Sequence, residues 1–248
     1  DTSTQNVILV DRILIGTDSK YADFATAQHT PTPSKYLGRN DWLGSMSINP
    51  PDHGFHFEAD ATIPVDPTWT LKDVLVIGDG GLDGINIGAS GRLVLSNATL
   101  ITTDQFGDGV RVAPGSPGTS VTNTIVKGFN RGLNSFLKPS YTDTFGSAQL
   151  YNQTTPTVGV RTTNPTADGA TPSLKYPVRI ESGSALKGAG LGGADIGANI
   201  INRYGIDGSR FGETNYNTLS ASPLWPWPNQ DRIKREMCAT TSRGFCTT

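Results

Sequence analysis

The sequence predicts an all-β protein built as a parallel β-helix, on three observations. Glycine (29 residues) and proline (16 residues) make up about 18% of the 248 residues, against about 12% in average proteins, so turns are frequent. Charged residues are only 17% of the chain, and short apolar runs recur between the turns, which argues against disorder. The middle of the chain also repeats itself at intervals of about 25 residues.

The repeat is visible in two series that keep one period. In the first series, Gly84, Gly109 and Gly132 each begin a short strand-like run, at offsets of 25 and 23 residues. The second series consists of the runs Asp73–Ile77, Asn97–Ile101 and Asn123–Lys127. Its offsets are 24 and 26 residues. Two series with a common period indicate a structural repeat.

Each repeat unit predicts three short strands separated by three turns. A further run, Gly91–Leu95, lies between the two series and supplies the third strand. Three strands in about 25 residues are the size of one rung of a parallel β-helix. A leucine-rich repeat needs a Leu-x-x-Leu-x-Leu pattern that is missing here, and a propeller blade needs about 40 residues.

The alternation of side chains along a strand predicts which residues face inward. Ile85, Val110 and Leu133 are expected to stack in one interior column, because successive rungs lie about 4.8 Å apart and place like residues over like residues. The residues that follow them form an outward stripe: Asn86, Arg111 and Asn134. Asn97 and Asn123 are expected to stack at a turn, where their side-chain amides bond to each other.

The regions that flank the repeat are less regular. Residues 17–53 and residues 153–176 are rich in proline or in threonine and glycine, and both predict long loop insertions. With these insertions, the β-helix is expected to span residues 1–205. Residues 206–248 are expected to form a tail that packs on the β-helix, with a short helix that begins near Asn229.

The end of the predicted β-helix carries a family resemblance. It contains a strand followed by a Ser-Ala-x-x-x-x-Gly motif and an Asp-Ile-Gly-Ala motif: Tyr176–Glu181, Ser184–Gly190 and Asp195–Ala198. This pattern resembles the closing segment of secreted right-handed parallel β-helix proteins of pectate-lyase-like fold. The resemblance implies a right-handed helix, a secreted or cell-surface protein, and a tail that continues past residue 248, so that a truncated chain is expected.

Composition and motifs argue against several functional classes. The 20 basic and 22 acidic residues give a net charge of −2, so neither nucleic acid nor an anionic membrane is an expected partner. No apolar run approaches the roughly 18 residues of a membrane span. Phosphate-binding glycine loops, nucleotide fingerprints and nucleophile elbows are missing from the sequence.

The two cysteines indicate the compartment. Cys238 and Cys246 lie eight positions apart and are expected to form a disulfide in an oxidising environment. Two free thiols in a cytosolic protein are the alternative.

The outward stripe is the candidate substrate site. Asn86, Arg111 and Asn134, with Arg131 beside them, are expected to contact a sugar chain. Trp42 is expected to stack on a sugar ring, with a hydrophobic plug over an irregular surface as the alternative.

Carboxylates at the rung period suggest a cation site. Asp79 and Asp104 are 25 residues apart, as are Asp83 and Asp108, and stacked carboxylates of this kind suit Ca²⁺. Aspartate before glycine is also ordinary turn chemistry. A second group of potential metal ligands is Asp52, His53, His56, Glu58 and Asp60, for which a solvated strand edge is the alternative. No catalytic residue is carried over from the family.

Two functions follow from these features. The first is a secreted β-helix protein that interacts with extracellular polysaccharide, as a lyase, a hydrolase or a binder. The second is a structural β-solenoid without catalytic activity, which self-assembles through its open ends into filaments. The sequence leaves open whether the protein is an enzyme.

Overall fold

The structure is a computed structural model of the chain. It describes residues 8–10, 15–17, 25–28, 39–48, 53–58, 68–78, 83–88, 91–102, 105–114, 118–135, 137–165, 179–180, 183–200, 202–204 and 219–223. The described part consists of strands and turns, with a single 3₁₀ turn at Leu191–Gly193. The predicted all-β class is confirmed.

Short strands follow one another in sets of three, and each set is called a rung here. The first two rungs are β1 (Ile8–Val10), β2 (Ile15–Thr17), β3 (Ala25–Gln28), β4 (Arg39–Leu43), β5 (Met46–Ile48) and β6 (Phe55–Glu58). The next two are β7 (Thr68–Lys72), β8 (Leu75–Gly78), β9 (Ile85–Ile87), β10 (Arg92–Ser96), β11 (Thr99–Thr102) and β12 (Asp108–Val112). The last two are β13 (Ser120–Thr122), β14 (Ile125–Lys127), β15 (Arg131–Asn134), β16 (Asp143–Phe145) and β17 (Gln149–Asn152), with a single bridge at Ser140 in place of the missing strand.

The strands form three parallel sheets. The first sheet contains β1, β4, β7, β10 and β13, the second β2, β5, β8, β11, β14 and β16, and the third β3, β6, β9, β12, β15 and β17. Consecutive strands along the chain therefore lie in different sheets, and each sheet gains one strand per rung, except that the first sheet has only the Ser140 bridge in the sixth rung. This topology is compatible with the predicted parallel β-helix.

The register of the strands confirms the predicted stacking. Val110 pairs with Ile85 on one side and with Leu133 on the other, and all three side chains are buried. The second repeat series behaves in the same way, because Thr99 stands between Leu75 and Ile125. The period of the sequence is thus the length of one rung.

Side chains from all three sheets meet in one interior cluster. Trp69 comes from the first sheet, Val76 from the second and Phe57 from the third. The rings of Phe57 and Trp69 stack with their centroids 5.6 Å apart. Burying a side chain such as phenylalanine contributes about 1.5–3 kcal/mol, so this interior supplies much of the stability of the fold.

Residues 17–53 do not form the predicted loop insertion throughout. Strands β3, β4 and β5 lie within this region and pair in register with the following rung. Strand β4 begins with three polar residues and does not resemble a strand by itself. Its backbone pairs with five consecutive residues of β7, and this pairing outweighs its weak intrinsic preference.

The turn between the first and second sheets takes one left-handed residue in each of the five rungs where the structure describes it, the second to the sixth. The φ angles of Gly44, Asp73, Asn97, Asn123 and Tyr141 are 63°, 51°, 52°, 51° and 49°. Asparagine and aspartate tolerate this conformation better than most residues with a side chain. Nδ2 of Asn123 donates to Oδ1 of Asn97 at 3.1 Å, as the stacking of the two amides predicts.

The turn between the second and third sheets brings the backbones of adjacent rungs into close contact. A Cβ atom on Gly84 would lie 2.6 Å from the carbonyl oxygen of Gly109. A Cβ atom on Gly109 would lie 2.5 Å from the carbonyl oxygen of Gly132 and 2.2 Å from Cγ1 of Val126. The first repeat series is therefore a column of glycines with a steric cause.

A later segment covers the outer face of the second sheet. Its residues Ile180, Leu186 and Ile196 are buried in a second apolar cluster, which includes the outward side chains Met46, Leu75, Ile77, Ile101 and Ile125. The backbone N–H of Ala198 donates to Oγ1 of Thr99 at 2.8 Å. The stretch that carries the family resemblance is therefore attached to the body of the fold.

The tail is described only in part. Strands β18 (Asn202–Tyr204) and β19 (Leu219–Pro223) pair in antiparallel fashion. The predicted helix near Asn229 and both Cys238 and Cys246 lie outside the described residues. Within the described ranges, no helix is long and apolar enough to cross a membrane.

If Val110 belongs to an interior column, removing two methyl groups there lowers the free energy of unfolding more than the same change at an exposed valine. Val110→Ala is expected to lower the free energy of unfolding by about 1–3 kcal/mol, because it removes buried surface and leaves a cavity. The matched control is Val158→Ala, since Val158 is 59% exposed, and its effect is expected to stay within about 0.5 kcal/mol. Chemical denaturation measures both. Equal effects would contradict the column.

The glycine column predicts a second contrast. Gly109→Ala is expected to destabilise the fold by about 1–3 kcal/mol, because the new methyl group collides with Val126 and with the backbone of the next rung. Gly78→Ala is the control, because a Cβ atom there meets nothing nearer than 3.8 Å. Thermal unfolding followed by circular dichroism compares the two variants. A tolerated Gly109→Ala would be inconsistent with the close approach of the rungs.

Candidate binding site

Polar side chains line the outer face of the third sheet, opposite the interior column. His56, Asn86, Arg111, Asn134 and Asn152 occupy one register position on five adjacent strands. Three residues before each of them in the chain stands another polar residue: His53, Asp83, Asp108, Arg131 and Gln149. We call these ten residues the polar ladder.

Asp83 organises one half of the ladder. Its Oδ2 accepts a hydrogen bond from Nδ2 of Asn86 at 2.7 Å, and its Oδ1 accepts one from the backbone N–H of Asp108 at 2.8 Å. Nε2 of His53 lies 3.1 Å from Nδ2 of Asn86 and 3.4 Å from Oδ2 of Asp83. All three side chains are buried. The carboxylate therefore fixes the amide of Asn86 and lies beside an imidazole.

Asp108 organises the other half in the same way. It is fully buried, and both of its oxygens accept hydrogen bonds from the guanidinium of Arg131. Nδ2 of Asn134 also donates to Oδ2 of Asp108, at 2.7 Å. The side chain of Arg131 is 38% exposed, so one end of this ion pair is in contact with water.

The network continues to the last strand of the third sheet. Nδ2 of Asn152 donates to Oδ1 of Asn134 at 2.8 Å, and Nε2 of Gln149 lies 3.4 Å from Oδ1 of Asn152. Gln149 is exposed and Asn152 is partly exposed. Carboxylates thus orient the amides of Asn86 and Asn134, and the amide of Asn134 in turn orients that of Asn152, which reduces their freedom before any ligand binds.

Arg111 is the more exposed of the two arginines of the ladder. It is paired in register with Asn86 and Asn134, which are buried, while its own side chain is exposed. Within the described part of the chain, no side chain forms an ion pair with Arg111. The ladder therefore presents a guanidinium between two fixed amides, and its two carboxylates lie below the surface.

The predicted substrate residues fall into two groups. Arg111 and Arg131 are accessible, whereas Asn86 and Asn134 are only 8% and 4% exposed. The sequence places these two asparagines on the correct face but not at the correct depth, because His53, Asp83 and Asp108 pack around their amides. They act in this structure mainly as partners of the carboxylates.

Trp42 does not lie where a sugar could stack on it. Its side chain is buried, and its ring contacts Phe55 and Phe57 with centroids 5.7 and 5.6 Å away. The sugar-stacking prediction fails because residue 42 belongs to strand β4, where it pairs with the inward residue Leu71. The aromatic ring is part of the core.

At Asp108, an arginine occupies the position where the sequence predicts calcium. The place beside its carboxylate is taken by the guanidinium of Arg131, and Asp83 is likewise engaged by its neighbours. Asp79 and Asp104 lie outside the described residues. Among the described residues, no group of three or more histidine, cysteine, aspartate or glutamate side chains is arranged to hold a metal ion. The donors around Asp108 suit hydrogen bonding rather than metal coordination.

The histidines of the second potential metal cluster belong to the ladder. The rings of His53 and His56 lie 4.6 Å apart, and His56 pairs in register with Asn86. Asp52 and Asp60 lie outside the described residues. A spacing of three residues between polar side chains recurs in every rung from His53 to Asn152. That spacing identifies Gln149 and Asn152 as ladder members, although they follow Arg131 and Asn134 by 18 residues rather than by about 25.

The shifted pKa values of the described residues lie elsewhere. Burial lowers the pKa of Lys127 and raises the pKa of Tyr151. Burial also raises the pKa of Asp143 to about 7, against the opposing effects of the Thr163 N–H and the Arg161 charge. These three residues belong to the end of the stack of rungs and not to the ladder.

A scan of the sequence against models of protein families gives no match, and neither does a search of curated proteins. The pectate-lyase-like resemblance therefore rests on sequence patterns, which are specific over residues 176–205 and general over residues 70–150. The structure supports its coarser part, which is a fold of three all-parallel sheets.

The ladder predicts that its two neighbouring arginines have different structural roles. Arg131→Ala is expected to lower the free energy of unfolding by about 1–3 kcal/mol, because it leaves the buried carboxylate of Asp108 without its cation. Arg111→Ala is the matched control, with an expected effect within about 0.5 kcal/mol. Urea denaturation at neutral pH measures both variants. An equal loss of stability would mean that Asp108 does not depend on Arg131.

Proposed function

We propose that this chain is a right-handed parallel β-helix protein of pectate-lyase-like type, which acts outside the cell and binds an extended acidic polysaccharide along the polar ladder. The observation that carries the proposal is the exposed guanidinium of Arg111 between amides that buried carboxylates hold in place. A row of ordered polar side chains on successive strands suits a ligand that is itself a repeating chain.

The geometry of the ladder favours a polymer over a compact ligand. Its members stand on adjacent strands about 4.8 Å apart, so their donors and acceptors form a line across the third sheet. The side chains of Arg111, Gln149 and Asn152 reach the surface along this line. Hydrogen-bonding groups that are ordered before binding lose less entropy when a flexible sugar chain binds to them.

The charge of the ladder favours an acidic ligand. Both accessible charged side chains in it are arginines, Arg111 and Arg131, because Asp83 and Asp108 are buried and already accept hydrogen bonds. A guanidinium binds a carboxylate or a sulfate through two parallel hydrogen bonds, which are stronger than bonds between neutral groups. An acidic sugar chain therefore fits the ladder better than a neutral one.

Affinity electrophoresis tests the proposal directly. The protein is run through gels that contain polygalacturonate, alginate or a neutral glucan, and we expect retardation by the acidic polymers that weakens with salt. Arg111→Ala is expected to raise the dissociation constant about tenfold, which is the effect of losing one charged hydrogen-bonding partner. Arg92→Ala is the matched control, because Arg92 is exposed on the first sheet.

The outcomes separate the parts of the proposal. An absence of retardation in every gel would remove polysaccharide binding. Retardation by the neutral glucan alone would contradict the role of charge, and equal effects of Arg111→Ala and Arg92→Ala would place binding outside the ladder. The same samples are assayed for unsaturated products and for new reducing ends, which would identify a lyase or a hydrolase.

A further inference from the structure

A segment without strands closes the last rung. Residues 154–165, called the closing segment here, form backbone hydrogen bonds with the edge of the sixth rung. The N–H of Tyr141 donates to the carbonyl of Val158 at 2.8 Å, and the N–H of Thr144 to that of Arg161 at 3.0 Å. In return, the N–H of Arg161 donates to the carbonyl of Thr142 at 2.7 Å. The closing segment thus occupies the edge that strand β16 would otherwise present.

One carboxyl group is enclosed between this segment and the second sheet. Asp143 is fully buried, and its Oδ1 accepts a hydrogen bond from the N–H of Thr163 at 2.7 Å. Its Oδ2 is buried and has no hydrogen-bond partner among the described residues. On the other side, Asp143 pairs in register with Ile125, which belongs to the apolar cluster on the outer face of the sheet.

This environment disfavours the ionised form of Asp143 more than its neutral form. A carboxylate with one hydrogen bond and an apolar neighbour has lost most of its hydration, whereas a neutral carboxyl group loses much less. Among the described residues, the closing segment provides the only hydrogen bond to the carboxyl group of Asp143. The unfavourable ionised state is therefore relieved when that segment moves away and water enters. Ionisation and opening are therefore linked.

The charged groups around Asp143 do not remove this difference. Arg161 is the paired residue on the closing segment, but its side chain is exposed, and Lys127 lies on the outer face of β14 two residues beyond Ile125. The phenol of Tyr151 is a further titratable neighbour. Residues 179–200 include the segment that covers the outer face of the second sheet, called the covering segment here. On it, Lys187 and Asp195 pair with each other at 2.7 Å, and Arg179 is exposed.

We propose that Asp143 is an acid-closed latch, which holds the closing segment on the last rung while its carboxyl group is protonated and releases it on ionisation. Burial raises the pKa of Asp143 to about 7, so the closed form binds its proton more tightly than the open form, in which the pKa has its ordinary value near 3.8. The closed form is therefore most stable at acid pH. Its stability is lost progressively as the pH rises from the ordinary value to about 7 and changes little above that.

Release of the latch uncovers the edge of the sixth rung. It frees the N–H groups of Tyr141 and Thr144 and the carbonyl of Thr142, which now bond to the closing segment. Free groups of this kind along a parallel strand are the natural place for a further strand to add. The latch thus controls whether the edge of the last rung is covered.

Hydrogen exchange measured as a function of pH tests the latch. After correction for intrinsic exchange, protection of the Arg161 and Thr163 amides is expected to fall by up to about tenfold per pH unit between about pH 5 and pH 6.5, and to level off above about pH 7. The amides of Ile125 and Val126, in the middle of the second sheet, provide the internal reference. A constant protection of Thr163 across this range would overturn the proposal.

Asp143→Asn separates the latch from general effects of pH. Asparagine keeps the shape and the acceptor for Thr163 but does not ionise, so the pH dependence at Arg161 and Thr163 is expected to disappear. Asp195→Asn is the matched control, because Asp195 also accepts a backbone hydrogen bond, from Gly188 at 2.9 Å, and lies far along the chain on the covering segment. It is expected to leave the pH dependence intact. Retention of the wild-type pH dependence in Asp143→Asn would refute the latch.

A measurement on the unmodified protein keeps the proposal testable if Asp143→Asn does not fold. Carbon-13 NMR of the aspartate carboxyl groups follows the titration of Asp143 itself. The midpoint is expected to lie clearly above 3.8 and below about 7, because opening on ionisation lowers it from the value of the closed form. A midpoint close to the ordinary value of 3.8 would mean that the enclosed carboxyl group has no more difficulty ionising than one in water, and that no latch exists.

Discussion

Parallel backbone pairing between successive rungs is the interaction on which the other features of this structure depend. It places Val110 between Ile85 and Leu133, and it places Arg111 between Asn86 and Asn134 on the opposite face of the same strands. A shift by one residue would exchange the two sets and bury a guanidinium in the apolar interior. The core and the polar ladder are therefore two consequences of one register.

In the ladder, buried carboxylates orient the polar side chains of a surface. Asp83 and Asp108 are not exposed, yet each accepts hydrogen bonds from an amide of the ladder, Asn86 or Asn134. The guanidinium of Arg131 offsets the loss of hydration at Asp108, and Asp83 lies beside the imidazole of His53. The result is an ordered polar face whose accessible charges are positive, although the whole chain has a net charge of −2.

The features that were predictable from the sequence are those that recur because each rung imposes the same local demand. The glycines at 84, 109 and 132 recur because backbones approach closely there, and Asn97 and Asn123 recur because that turn needs a left-handed residue. The prediction that Trp42 is exposed was wrong because strand β4 begins with a polar run that does not resemble a strand. The pairing of β4 with β7 places Trp42 in the core. The depth of Asn86 depends on side chains that fold over it, and periodicity carries no information about them.

We propose above that the ladder is a binding surface and that buried carboxylates orient its amides. NMR spectra of the protein with an acidic oligosaccharide test it most directly, through the side-chain amide signals of Asn86, Asn134 and Asn152 and the guanidinium signal of Arg111. If the ladder binds the oligosaccharide, the Arg111 and Asn152 signals are expected to shift most on titration. The signals of Asn86 and Asn134 are expected to shift less, through their hydrogen bonds, and the guanidinium signal of Arg92 on the first sheet is expected to stay unchanged. Shifts centred on the first sheet, with the ladder signals unaffected, would contradict the account.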